Sequence, residues 1–276
     1  MVGFQPIVPM SGYTGWKFLE RTVEAQQNAF NNSAQIKRNI EYFKENINKA
    51  TTAQDLIDDH RLLSVALGAF GLDDDISKKA YVLKALVEGT EDDDAFANRI
   101  VDKRYREFAE AFGYGNQSGA RVGLSNFSET IVSSYKTRQF EIAIGGSDES
   151  MRLAMSFTRE ISDFANSSNS NAAWFEIMGN PPIRKIFETA FGLPSSFGRL
   201  DVDRQRATFQ EMSGRMFGSD KVDVFKDEAN VEKLLRTFFV RQQLAEGPGA
   251  GVRGSTALLL LQNTASGMAN LFQSRI

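Results

Sequence analysis

Ala69-Phe70-Gly71-Leu72 recurs as Ala190-Phe191-Gly192-Leu193, and a relative, Ala111-Phe112-Gly113-Tyr114, stands between them. Each ends an amphipathic stretch with an aromatic residue followed by glycine. That is the pattern of a helix that buries its last turn and stops in the left-handed region, where a Cβ is penalised. Leu56, Leu63, Leu67 and Phe70 lead into the first stop, and Ile183, Ile186, Phe187 and Phe191 into the second. The repeated tetrapeptide therefore marks the ends of helices, and the pattern around it sets the fold.

Outward from the first stop, Trp16, Leu19, Val23 and Phe30 mark an opening helix, and Ile36, Ile40, Phe43 and Ile47 a second. Thr51 with Gln54 makes a capping-box pattern before the helix that runs from Leu56 to Phe70. Asp73–Asp75 are expected to open a fourth helix with Val82, Leu83, Leu86 and Val87. Glu91–Asp94 are expected to open a fifth with Phe96, Ile100, Phe108 and Phe112.

The Gly-, Ser- and Asn-rich stretch 116–125 reads as a linker, after which the series starts again. Phe127, Ile131, Tyr135 and Ile142 form one helical face. Ser147, Asp148 and Glu149 open a helix with Leu153, Phe157, Ile161 and Phe164. Trp174, Phe175 and Met178 follow, Pro181-Pro182 interrupt, and a helix resumes up to Phe191. Asp201–Asp203 open a helix with Phe209, Met212 and Met216; Phe225, Val231, Leu234, Leu235, Phe238 and Phe239 mark the last of this series. No useful period-2 alternation appears. We expect an all-α chain of about eleven helices: residues 1–115 as one unit with an N-terminal arm, 127–245 as a second, related five-helix unit, and 255–276 as a C-terminal helix. The two stops then place Phe70 and Phe191 at equivalent core positions.

A net charge of −3 over 276 residues leaves no electrostatic footprint for nucleic acid. The absence of cysteine excludes disulfides, thiol nucleophiles and thiolate metal sites. Met1–Ser11 has neither a basic n-region nor an apolar h-region, so no cleavable signal peptide is expected. The apolar run Ala257–Leu261 is too short for a membrane span.

Five stretches invite a chemical reading. Gly249-Ala250-Gly251-Val252-Arg253-Gly254 spells a dinucleotide loop, but that loop needs a strand before it and an acid about 20 residues on. A helix precedes it here, and Ser274 stands where the acid belongs. It reads as a flexible joint whose one remaining chemistry is an anion on the amides of Ser255 and Thr256 beside Arg253. His60, the sole histidine, sits beside Asp58 and Asp59 and reads as a surface residue. Asp73–Asp75 and Glu91–Asp94 lack the ligand order of a calcium loop and read as caps. Lys103, Arg104, Tyr105 and Arg106 lie between Asp102 and Glu107 and read as a solvated, self-neutralised helix face. No catalytic, cofactor-binding or metal-ligating residue is assigned, and no cofactor is expected. The apolar arm 1–15 and the helix 255–276 are the two segments that core packing explains least; each is a dock for the body or an adhesive surface.

Leu62-Leu63-Ser64-Val65-Ala66-Leu67-Gly68-Ala69-Phe70-Gly71-Leu72, the segment Phe96–Tyr105, and Asn180-Pro181-Pro182-Ile183-Arg184-Lys185-Ile186-Phe187 carry a resemblance. Together they resemble an uncharacterised helical family of flagellated proteobacteria whose genes often lie among flagellar structural and assembly genes. The resemblance spans roughly residues 28–240 and brings no catalytic residues with it. It implies a non-enzymatic structural or protein-binding component of the flagellum or its assembly, with axial or export components as partners and the flagellum or cytoplasm as location. The alternatives are a cytoplasmic flagellar export chaperone or regulator, and an anion- or small-molecule-binding enzyme at the glycine-rich joint.

Overall fold

A computed structural model describes residues 4–246. Among these residues there are thirteen α-helices, eleven of them of seven residues or more, and no strand. In chain order they are α1 (Gly12–Asn31), α2 (Ala34–Asn46), α3 (Ala53–Asp58), α4 (His60–Ala69), α5 (Lys79–Glu88), α6 (Phe96–Arg99) and α7 (Arg104–Phe112), followed by α8 (Phe127–Gly145), α9 (Glu149–Ala165), α10 (Ser170–Met178), α11 (Pro181–Phe191), α12 (Val202–Phe217) and α13 (Glu228–Glu246). The all-α expectation is met. The expected C-terminal helix 255–276 and the glycine motif 249–254 lie outside the described residues.

Helix α8 lies between α4 on one side and α9 on the other. α9 packs on α11, α11 on α13, and α13 returns to α1, which also touches α8. A single continuous cluster of buried side chains runs through these layers. Its two densest points are aromatic. Phe187, with no exposed surface, meets Phe157, Trp174, Phe191, Phe209 and Phe225 at centroid distances of 5.3–6.1 Å. Phe112 meets Phe70, Phe108, Tyr114 and Phe127 at 4.9–6.4 Å. Each such contact adds about 1 kcal/mol to the burial of the rings. Trp16 of α1 stacks on Phe239 of α13 at 6.0 Å, closing the first of the described helices against the last of them.

The helix stops form as the tetrapeptides require. Gly71, Gly113 and Gly192 have φ of 68°, 70° and 69°. At the first stop Leu72 N–H donates to Leu67 O at 3.0 Å and Gly71 N–H to Gly68 O at 3.4 Å. At the last, Leu193 N–H donates to Glu188 O at 2.9 Å and Gly192 N–H to Thr189 O at 3.0 Å. Both are the paired six-to-one and five-to-two closure. Gly113 makes the simpler five-to-one bond to Ala109 O at 2.9 Å. The two phenylalanines differ, however. Phe191 is buried, whereas Phe70 keeps partial exposure.

Several local expectations need correction. The capping box is Thr52 with Asp55, one residue later than Thr51 with Gln54: Thr52 Oγ1 accepts from Asp55 N–H and Asp55 Oδ2 from Thr52 N–H. The Leu56–Phe70 helix is two helices, since Asp59 caps α4 by accepting from the N–H groups of Arg61 and Leu62. Asp73–Asp75 form a short 3₁₀ turn, and α5 starts later, at Lys79. The Phe96–Phe112 helix is likewise divided into α6 and α7, and Glu88 accepts from the first amide of α6, Phe96 N–H. Pro181 and Pro182 occupy the first turn of α11, where a missing N–H costs nothing. Asp148 and Asp201 do cap α9 and α12. The stretch 116–125 is held to the body: Arg121 N–H donates to Phe112 O at 2.9 Å, Asn116 Oδ1 accepts from Thr90 N–H, and Val122 is buried.

The described part of the N-terminal arm docks on α1. Phe4 sets its ring edge-on against Phe30 at 6.2 Å, and Val8 packs on the core. Gln26 grips the main chain of Ile7 between them: Ile7 N–H donates to its Oε1 at 2.7 Å, and its Nε2 donates to Ile7 O at 3.1 Å. Farther along, the carbonyl of Met10 occupies the space a side chain on Gly15 would need.

Two glycine substitutions test the stops. Gly192→Ala places a Cβ on the Arg241 guanidinium and forces alanine into positive φ, and is expected to cost about 1–2 kcal/mol in urea unfolding. Gly123→Ala, with open space at its Cβ and no positive φ, is expected to leave the midpoint unchanged.

Candidate functional site

A cleft of about 660 Å³ opens where the turn after α4, the first turn of α7, the last half of α8, the first half of α9, the start of α11 and Gln242 of α13 meet. Its walls carry Asp73, Asp74, Arg104, Arg138, Glu141, Glu149, Arg152 and Lys185. The helix stop at Gly71 places the first of these, because the reversed backbone turns Asp73 away from α4 and toward α8. Asp73 Oδ1 accepts from Gln139 Nε2 at 2.6 Å.

The arginines are bound by carboxylates of the chain itself. Arg104 forks onto Asp102, with Nε–Oδ1 at 2.9 Å and Nη2–Oδ2 at 2.6 Å, and its Nη1 donates to the carbonyl of Gly71. Arg152 pairs with Glu149. Behind the wall, Glu160 joins three elements. Its Oε1 accepts from Arg138 of α8 at 3.1 Å and from Arg159 of α9 at 2.6 Å, and its Oε2 from Asn180, the cap of α11, at 2.6 Å. Arg159 also forks onto the buried carboxylate of Glu141, at 2.7 and 3.0 Å.

Burial shapes the charges here. It presses the pKa of Arg138 below the ordinary arginine range, and the neighbouring Arg159 cation adds to this; Glu160, Glu141 and Glu107 pull the other way. Burial opposes the charge on Arg159 as well, but Glu141 and Glu160 overcome it and hold that guanidinium above the ordinary range. Asp73 is raised, first by burial and then by Asp74, against the hydrogen bond from Gln139 and the charge of Arg138. The result is a wall whose arginines are held in ion pairs with carboxylates of the same chain.

The residues singled out in the sequence scatter. His60 is exposed on the first turn of α4. Asp73 and Asp74 reach the cleft, whereas Asp75 is buried and paired with Lys78 at 2.6 Å. Glu91 accepts from Gln117 N–H, and Asp92 from Asp94 N–H. The basic run is not a solvated face. Arg104 turns into the cleft, Tyr105 is buried and donates to Asp75, and Lys103 donates to the carbonyls of Asn98 and Ile100; only Arg106 stays exposed. Ile142, expected on the buried face of α8, is partly exposed in the cleft, while Phe140 and Ile144 take the buried positions. The sequence reading misses Arg138, Glu141, Arg159 and Glu160. The available signal is a charged residue wedged directly against apolar neighbours, as Glu141 is between Phe140 and Ile142. Among the described residues, no group of histidine, cysteine and carboxylate side chains could hold a metal ion. No helix there is long and apolar enough to cross a membrane.

A family described as "Protein of unknown function (DUF1217)" matches residues 69–231. No curated protein matches the chain. An X-ray crystal structure of a protein from Agrobacterium tumefaciens is similar, with a TM-score of 0.67 and 25% sequence identity over 86% of this chain and 97% of that one.

The network and the cleft acid give opposite expectations. Glu160→Gln removes the charge that two partly buried arginines share, and is expected to cost about 2 kcal/mol in urea unfolding near neutral pH. Asp73→Asn keeps an acceptor for Gln139 while removing a carboxylate whose folded pKa is raised. Such a group favours the folded state below its unfolded pKa of about 3.9 and loses that contribution as pH rises through the folded value. The variant is therefore expected to be more stable than the parent near pH 7, with the gain vanishing below about pH 4, as thermal melts across pH would show.

Proposed function

The chain belongs to the DUF1217 family of proteins of unknown function, and from that premise we propose a non-enzymatic, structural or protein-binding component of the bacterial flagellum and its assembly. The observation that carries the non-enzymatic part is the state of the cleft: its arginines are engaged by Asp102, Glu149 and Glu160 of the same chain. A catalytic cleft concentrates groups with unspent valence toward a reacting atom; here the charges hold helices together. Such a body serves as a rigid scaffold that presents surfaces to other proteins.

The flagellar part rests on the resemblance carried by segments 62–72, 96–105 and 180–187. Its partners are accordingly axial or export components. A cytoplasmic export chaperone or regulator is the second reading, and cell fractionation separates the two.

Deletion of the gene is expected to impair swimming in soft agar, with the tagged protein recovered in sheared filaments or basal bodies. Recovery only in the cytosol together with an axial protein favours the chaperone. Normal swimming, with the protein absent from every flagellar fraction, overturns the flagellar reading.

A further inference from the structure

The cleft lies beside the end of the last described helix. Gln242 of α13 lines it and also faces the adjoining hollow with Glu149 and Ser150. One turn later α13 ends at Glu246, and the chain runs on into residues 247–276. That segment therefore sets out from the rim of the cleft. The stretch of α8 that lines the cleft, Arg138 to Gly145, is about 10 Å long. The chain from Glu246 to Arg253 spans up to about 23 Å when extended, enough to carry Arg253 along the whole of it.

Charge points the same way. Asp102, Glu149, Glu141 and Glu160 engage Arg104, Arg152, Arg159 and Arg138. Two carboxylates of the wall remain, Asp73 and Asp74, adjacent on the turn after α4 and in no ion pair among the described residues. Asp73 is the costlier of the two, because burial opposes its charge and Gln139 is a neutral donor. A cation beside it offsets that cost. Residues 247–276 contain arginine at 253 and 275 and no acidic side chain. Val252, next to Arg253, suits the apolar part of the wall, where Ile142 and Pro181 are exposed.

We propose that the cleft is the seat of the chain's own segment 250–255, with the Arg253 guanidinium between Asp73 and Asp74. A guanidinium fork offers donors to two carboxylates at once, which an ammonium does less well. A segment tethered this closely meets its own cleft at an effective concentration of about millimolar order, so it outcompetes a second copy in dilute solution. So seated, it ties the end of α13 to the turn after α4.

The chain has no cysteine, so introduced thiols are unique. In one full-length chain, Lys185→Cys marks the exposed wall of the cleft and Ser255→Cys marks the segment. A short bismaleimide is added to dilute protein, and peptide mass spectrometry follows the rate of cross-linking within single chains. Arg253→Gln, which leaves residues 4–246 unchanged, is expected to slow it about fivefold. Asp74→Asn is expected to slow it similarly, and the two together no further, because they remove one interaction. Arg275→Gln is expected to leave the rate as it was. In the same full-length chain, the stabilisation brought by Asp73→Asn near pH 7 is expected to grow once Arg253→Gln is present, since the arginine no longer offsets the buried charge. A rate indifferent to both Arg253→Gln and Asp74→Asn overturns the proposal and leaves the cleft to a segment of another protein. Cross-links that form chiefly between differently tagged copies overturn it too, and assign the seat to a second copy.

Discussion

Helix α8 is covered on two sides, by α4 and by α9, and the rest of the architecture answers to that constraint. A helix with one wet face can turn its charges to water; α8 has little wet face to offer. Arg138 and Glu141 are therefore carried inward, and each must find a counter-charge or leave an uncompensated ion in low dielectric. α9 supplies those partners as Arg159 and Glu160, and the reach of Glu160 to Asn180 brings in the start of α11. The cleft is what remains between helices whose spacing these ion pairs set. Its charged walls are a consequence of crowding around one helix.

The electrostatics also explain why two carboxylates in one place behave differently. Glu160 is held by three donors from three elements, so its charge contributes to helix packing. Asp73 has a neutral side-chain donor, and its acidic neighbour Asp74 opposes the help it gets from Arg138, so burial dominates and its charge is a burden. The difference lies in the partners each site supplies, not in the residue type.

Legibility in the sequence follows the range of the interaction. The stops at Gly71, Gly113 and Gly192 are readable because a left-handed cap is decided by residues within one turn. The caps at Asp148 and Asp201 are readable for the same reason. At Thr51-Thr52 the local signal is degenerate: two adjacent threonines are followed by candidate partners at Gln54 and Asp55, and the shorter carboxylate wins. Asp73–Asp75 have the composition of a cap, but a long-range partner claims Asp73 through Gln139 and a nearby lysine claims Asp75. On α8 a single helical period points to Ile142, whereas a helix buried on two sides has no single face, and Phe140 and Ile144 are the buried residues. Arg104 does pair with an acid in its neighbourhood, but on the cleft side of the surface and not the solvated one. The cleft itself is not legible, because its walls come from the turn after α4 and from five helices, scattered from Gly71 to Gln242.

The placement of the two tryptophans gives the protein its own optical reporters. Trp16 lies between α1 and α13, stacked on Phe239, and senses whether the chain's first and last described helices are closed. Trp174 has no exposed surface, touches Phe187 and Phe209, and donates its indole N–H to Asp220 O at 2.8 Å. Its emission senses the aromatic heart of the second half. Removing either one leaves a single fluorophore that reads one joint. The order in which closure and core assembly occur can then be followed by light alone, with no label attached.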